Sequence, residues 1–233
     1  MVRWRWLTGM ALALSLLLLA GCGGRQSNLL PEDANVEQAA ETQGVGDAPA
    51  EPAAAAVEGD RYQVVAGESS ASYRVGERFL DRNLDAVAVG TTTNLFGELI
   101  LRDGRLQPSK VTVDLQSLTS DQQRRDQKLK TSALETDKYP TAEFTVTGIS
   151  GDAPALVEGQ EVAVKLEGNM KLHGVEKPWT WDAKIKVEGD TLHLNATTTL
   201  NMRDFDIEPP NVLNLISVRE QVELEVNIVA RKQ

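Results

Sequence analysis

From about residue 60 onward, apolar and polar residues alternate one by one. Val111, Val113 and Leu115 alternate with Thr112, Asp114 and Gln116, and Ala142, Phe144 and Val146 with Glu143, Thr145 and Thr147. Val162, Val164, Leu166, Met170 and Leu172 share one parity; Lys165, Glu167, Asn169 and Lys171 share the other. Trp179, Trp181, Ala183, Ile185 and Val187 oppose Thr180, Asp182, Lys184 and Lys186. Leu192, Leu194, Ala196, Leu200 and Met202 oppose His193, Asn195, Thr197, Thr199 and Asn201, and Val222, Leu224, Val226 and Ile228 oppose Glu223, Glu225 and Asn227. Successive side chains of a strand point to opposite faces, so each run predicts a strand with one buried and one wet face. Less regular strands are predicted near 61–75, 86–93 and 95–102. Turn residues separate the runs: Asp103-Gly104, Gly151-Asp152, Gly174 with Pro178, and Glu188-Gly189-Asp190.

Several of these runs exceed the five or six residues usual for a strand. Long sequential antiparallel hairpins with one apolar face bury that face, and lose their exposed edges, by closing into a barrel. The fold predicted is therefore all-β and antiparallel, with a two-sheet sandwich as the alternative. One segment breaks the alternation. "SDQQRRDQKLKTSALE" (120–135) is polar and helix-prone, and Ser120 with Gln123 fits a capping box. Leu129 and Ala133, one turn apart, are placed to face the barrel, and Tyr139-Pro140 returns the chain to extended structure.

Upstream of residue 60 the pattern disappears. Residues 23–59 are rich in Ala, Glu, Pro, Gly and Gln and carry too little bulky apolar surface to offset ordering. The first residues, "MVRWRWLTGMALALSLLLLAGC", have a basic start, an apolar run and small residues, the layout of a secretory signal. Leu19-Ala20-Gly21-Cys22 resembles the lipobox of bacterial lipoproteins, in which the cysteine sulfur receives a diacylglyceryl group. An ordinary signal peptide is the alternative, but Cys22 is the only cysteine and stands where a lipobox requires it. Two or more acyl chains hold a protein stably on a membrane. The expected organisation is a lipoprotein signal peptide over 1–21, a lipidated Cys22 with a disordered acidic, Ala/Pro-rich linker over 22–59, and a barrel domain over 60–233. The location expected is extracytoplasmic, in the periplasm or at the cell surface, anchored to a membrane.

Charge narrows the partners. The formal net charge is -10, and the densest basic stretch, "RRDQKLK", carries an Asp, which argues against nucleic acid. A zinc site needs three or four converging ligands. The chain has two histidines, His173 and His193, both on outward parity, so no metal is expected. There is no Gly-x-Ser-x-Gly elbow and no glycine-rich phosphate loop, and the carboxylates fall on outward positions or in turns. Neither catalytic residues nor a cofactor are expected.

What remains is the inner face. Its candidate residues are Val113, Leu115, Phe144, Val146, Val164, Leu166, Met170, Leu172, Trp179, Trp181, Ile185, Leu194, Leu200 and Met202. An eight-stranded barrel either fills its lumen with side chains or holds one small ligand, and alternation leaves both open.

Two motifs carry a resemblance. "RRDQKLKTSALETDKYPTAEF" is similar to an Arg-Asp-x-x-Leu…Lys-Tyr-Pro-x-x-x-Phe signature, through Arg125, Asp126, Leu129, Lys138, Tyr139, Pro140 and Phe144. "GNMKLHGVEKPWTW" resembles a Gly-x-Leu-x-Leu-His-Gly-Val-x-Lys-Pro hairpin, through Gly168, Leu172, His173, Gly174, Val175, Lys177 and Pro178. Both belong to the YceI-like, polyisoprenoid-binding family, and the likeness covers about residues 61–231. It implies an extended, lipocalin-like eight-stranded barrel with one or two short helices beside the lumen. It also implies that the lumen holds a long isoprenoid lipid, such as a quinone or polyprenol tail, with Leu129 and Tyr139 at the mouth or on the helix. The partners implied are that lipid and, through the anchor, a membrane; a homodimer is left open. A side-chain-filled structural or interaction module on a tether is the alternative. An enzyme acting on an isoprenoid headgroup through Asp126, Tyr139 or His173 has the least support. His173 is expected to be an outward-facing residue at a hairpin corner shaped by Gly174 and Pro178.

Overall fold

A computed structural model describes residues 57–150, 154–212 and 215–233. The expected signal peptide, Cys22 and nearly all of the linker lie outside the described residues. In chain order the strands are β1 (Asp60–Val64), β2 (Ser70–Phe79), β3 (Leu84–Thr92), β4 (Leu95–Arg102), β5 (Arg105–Leu106), β6 (Ser109–Asp114) and β7 (Thr119–Ser120). After a helical segment come β8 (Thr141–Ser150), β9 (Glu161–Leu172), β10 (Val175–Glu188), β11 (Thr191–Asn201), β12 (Asn211–Val212) and β13 (Ile216–Lys232). All pairings are antiparallel, and neighbours run β1-β4-β6-β8-β9-β10-β11-β13, with β13 pairing back onto β1. That closes an eight-stranded ring, so the barrel reading holds over the sandwich.

The single strand expected over 61–75 is two. β1 pairs with β13 through Tyr62↔Lys232 and Val64↔Ala230, and β2 resumes beside the same strand at Ser70↔Asn227. Ser69 repairs the break between them. Its hydroxyl accepts from the Val229 N–H at 3.1 Å, standing in for the missing ladder acceptor, and donates to the Val229 carbonyl at 3.2 Å, which also accepts from the Val65 N–H at 2.9 Å.

The two ends of the barrel differ. At the base lie the start of β1, the β10–β11 turn and the C-terminus, joined by a bond from the Lys232 N–H to the Asp190 carbonyl. Here the inner side chains fill the lumen: Ile185, Leu192 and Ala230 are wholly buried, with Tyr62 and Leu101 packed among them. At the other end lie the β2–β3 hairpin, the β9–β10 turn and the helical segment. The latter is α1 (Gln123–Lys128), continued by a π-type turn over Leu129–Ala133. It follows β7, which pairs with β3, and leads into β8, so it spans the part of the wall where β3 and β6 are not bonded to each other.

The helix start differs from the capping box expected. The N-cap is Gln122, with no side-chain cap. Ser120 lies further out and is gripped by Asp126, whose carboxylate accepts from the Ser120 N–H at 3.0 Å and from its hydroxyl at 2.5 Å. The hydroxyl proton goes to this charged acceptor, its oxygen accepts from the Gln122 N–H at 3.2 Å rather than from an amide inside the helix, and the result pins β7 to α1.

Candidate functional site

Above the packed base the lumen is hollow. The chamber has a volume of about 520 Å³. Of the lumen residues expected, Val113, Leu115, Phe144, Val146, Leu166, Met170, Leu172, Trp181, Leu194, Leu200 and Met202 line it, and Leu129 reaches it from the π-type turn. Most come from β6, β8, β9, β10 and β11, because the period-two pattern turns one parity of every strand inward; Leu115 and Met202 stand one residue past β6 and β11.

Four expected positions do not line it. Val164 and Ile185 face inward but sit lower, in the packed base, where they are 8% and 0% exposed. Trp179 has inward parity, but β10 and β11 pair only as far as Asp182↔Thr197. Beyond that point Trp179 occupies the seam, donating Nε1–H to Thr198 Oγ1 at 3.0 Å and packing on Phe205 at 5.3 Å between ring centroids. Tyr139 is a corner residue rather than a mouth residue, edge-on to His173 at 4.7 Å.

His173 is likewise not an outward bystander. It and Gly174 form the two-residue β9–β10 turn with φ of 52° and 78°, the positive values a tight hairpin of this hand demands. The side chain is 11% exposed. Nδ1 lies 3.1 Å from the Phe205 carbonyl and Nε2 3.1 Å from the Glu135 carboxylate. The ring therefore ties the hairpin to the chain on either side of it. His193, opposite Lys186 and Val229, lies toward the base, so the two histidines do not meet.

Shape within the chamber depends on Gly168. A Cβ there would stand 2.2 Å from the Thr145 carbonyl and 2.7 Å from the Phe144 ring. Its absence lets Phe144 lie across β9 and meet Trp181 edge-on at 6.0 Å. The Trp181 Nε1–H is buried without a hydrogen-bond partner.

The lining is not wholly apolar. Tyr73 and Glu77 of β2 and Arg125 of α1 also face the chamber. Arg125 forms a two-pronged pair with Glu77, Nε to Oε1 at 3.1 Å and Nη2 to Oε2 at 3.2 Å, and also bonds Asp121. Burial alone would lower the Arg125 pKa; its hydrogen bonds to Glu77 and Asp121 outweigh that and hold it above the ordinary value. Burial pushes the Tyr73 phenol up to about 12, against the opposing pull of Arg125. Sequence reasoning missed this cluster. The usable signal was Glu77, a charge on the parity of Tyr73, Val75 and Phe79, with an arginine-bearing helix elsewhere in the chain to answer it.

Fold and site together define a class: a closed antiparallel barrel, plugged at its base, with an internal apolar chamber under a short helix. The YceI-like domain model matches residues 62–230, and the chain belongs to that family. Among relatives, a UPF0312 protein of Pseudomonas putida (strain KT2440) is 31% identical over 155 residues, covering 62% of this chain and 73% of the relative. Another, from Pseudomonas putida (strain W619), is 30% identical over 153 residues, with the same coverage. Of the solved structures, a polyisoprenoid binding domain from Saccharophagus degradans implicated in plant cell wall breakdown superposes with a TM-score of 0.61 at 15% identity, over 74% of this chain and 98% of that one. Burkholderia cenocepacia BcnA superposes with a TM-score of 0.55 at 16% identity, over 72% of this chain and 99% of that one.

Proposed function

We propose that this protein is a membrane-tethered, extracytoplasmic, non-catalytic binding protein that holds an isoprenoid lipid of quinone or polyprenol type in the barrel chamber. It would serve transport, storage or protection of that lipid, with Cys22 as the lipidated anchor. One observation carries the reading: a hollow of about 520 Å³ walled by aliphatic and aromatic side chains, within the roughly 300–1,000 Å³ typical of small-molecule sites. A barrel serving only as a structural module would fill this space as it fills its base. The polyisoprenoid binding domain of similar fold supports the choice of ligand. So does simple energetics. Each methylene taken from water contributes about 0.8 kcal/mol, so ten carbons supply about 8 kcal/mol and twenty about 16, against an association cost of roughly 4–15 kcal/mol, and a long tail binds where a short amphiphile would not.

Native mass spectrometry and solvent extraction of protein purified from its own membranes test the proposal. The expected result is a non-covalently bound polyprenyl-chain lipid. An empty chamber that takes up neither quinones nor polyprenols would overturn it.

A further inference from the structure

The strands keep to alternation until the open end, where it fails. Leu80, Leu84 and Leu215 are 51%, 52% and 47% exposed. They form one cluster at the tip of the β2–β3 hairpin. Phe79 stands opposite both Leu84 and Ile216, and the Leu80 N–H donates to the Leu215 carbonyl at 2.8 Å. Phe79, Leu84 and Ile216 continue the lumen parity, and Phe79 and Ile216 line the chamber. Leu80 and Leu215 lie on the other parity. On either side of the polar turn Asp81-Arg82-Asn83 the hairpin end is thus apolar on both faces, which burial within the barrel cannot explain, and its surface is continuous with the chamber wall.

Although the net charge of the chain is -10, two basic side chains at this end are free of ion pairs among the described residues. The hairpin's own carboxylates are answered locally, Asp81 by Arg82 at 3.5 Å and Asp85 by Arg78 at 3.2 Å. On α1, Arg125 takes Glu77 and Asp121. Arg124 and Lys128, one turn apart, exposed and at the chamber rim, are left without an ion pair among the described residues.

We infer that the open end docks on an anionic lipid bilayer, with Leu80, Leu84 and Leu215 in the interface and Arg124 and Lys128 on lipid headgroups, so that a lipid passes between membrane and chamber without crossing water. This rests on the reading of the chamber as a lipid site. Amphipathic surfaces bind membranes through buried apolar area plus attraction to anionic lipid, and each basic residue near such a surface adds to that attraction.

The barrel alone, residues 57–233, suits the test. Its eight-stranded ring closes within Asp60–Lys232, and solved structures of the same fold align with it over 98% to 99% of their own length. Two readings are taken: co-sedimentation with phosphatidylcholine vesicles with and without phosphatidylglycerol, and uptake of a pyrene-labelled polyprenol from vesicles or from detergent micelles. The wild type is expected to sediment with the phosphatidylglycerol vesicles. Leu80→Ser/Leu84→Ser/Leu215→Ser is expected to lose that binding by at least roughly tenfold and to slow uptake from vesicles, while uptake from micelles stays at the wild-type level. Arg124→Gln/Lys128→Gln is expected to abolish the preference for phosphatidylglycerol. Vesicle binding unchanged in the leucine-to-serine variant, no wild-type vesicle binding, or a wild-type dimer in light scattering that these substitutions dissolve would each overturn the docking inference. Docking without polyprenol uptake from either source would instead overturn the lipid-chamber reading, and with it the transfer.

Discussion

The Tyr73 ring crosses β3 at Gly90, where a Cβ would stand 2.3 Å from it, and burial holds its phenol at about 12. The sign of the consequence is fixed by linkage. Below pH 10 the phenol is protonated in both folded and unfolded chains, and its contribution to stability is fully present. Between pH 10 and about 12 the unfolded chain ionises while the folded one keeps its proton, so stability falls. Tyr73→Phe is expected to flatten that alkaline decline, read as urea midpoints across the range. Burial also raises Tyr62, so a shallower slope should remain; an unchanged slope in the variant would contradict the assignment. Tyr73 was not legible as a site residue, because nothing in "SASYRVGERF" reveals that an arginine from a helix about fifty residues away stands beside it. His173 was misjudged for a related reason. Parity describes residues within strands, and a turn residue takes its surroundings from whatever packs on the corner.

At the level of elements, α1 is fastened by two carboxylate contacts rather than by its own caps: Asp126 onto Ser120 and Arg125 onto Glu77. Glu77 is 8% exposed. Arg125→Ala would leave its charge buried and unpaired, an arrangement that costs about 3–5 kcal/mol. Replacing both partners, Glu77→Leu/Arg125→Leu, removes the charge along with the pair and is expected to recover most of that loss. Thermal unfolding of the three proteins checks it, and a double variant no more stable than Arg125→Ala would refute it. The long strands β9, β10, β11 and β13 were readable from alternation because each has one wet face along most of its length. The break between β1 and β2 was not, since Ser69 maintains the ladder through a side-chain bond that leaves no trace in hydropathy. Nor was the true helix start, where a carboxylate six residues on claims Ser120.

Across the whole molecule, the lumen divides into a packed base and a hollow upper half, and this division predicts opposite outcomes for two similar substitutions. Met170→Glu places a carboxylate on the chamber wall, beside open space rather than inside a filled core, and is expected to abolish lipid uptake at a cost in stability while the barrel still folds. Ile185→Glu places the same group in the filled base and is expected to prevent folding. Circular dichroism with polyprenol uptake separates the two; a folded Ile185→Glu protein, or a Met170→Glu protein that binds as well as wild type, would refute the division.

Alternation, turn residues and strand length were enough to determine an antiparallel all-β fold with one aliphatic inner parity, because period-two burial is a local property of the chain; the choice of barrel over sandwich fell to the pairing of β13 with β1. Whether an inward residue fills the base, lines the chamber or plugs a seam was decided only by tertiary structure. Ile185, Met170 and Trp179 all carry inward parity, yet they meet different fates. Height along the barrel, and the point at which neighbouring strands part, are set by closure of all eight strands at once and by no single one of them.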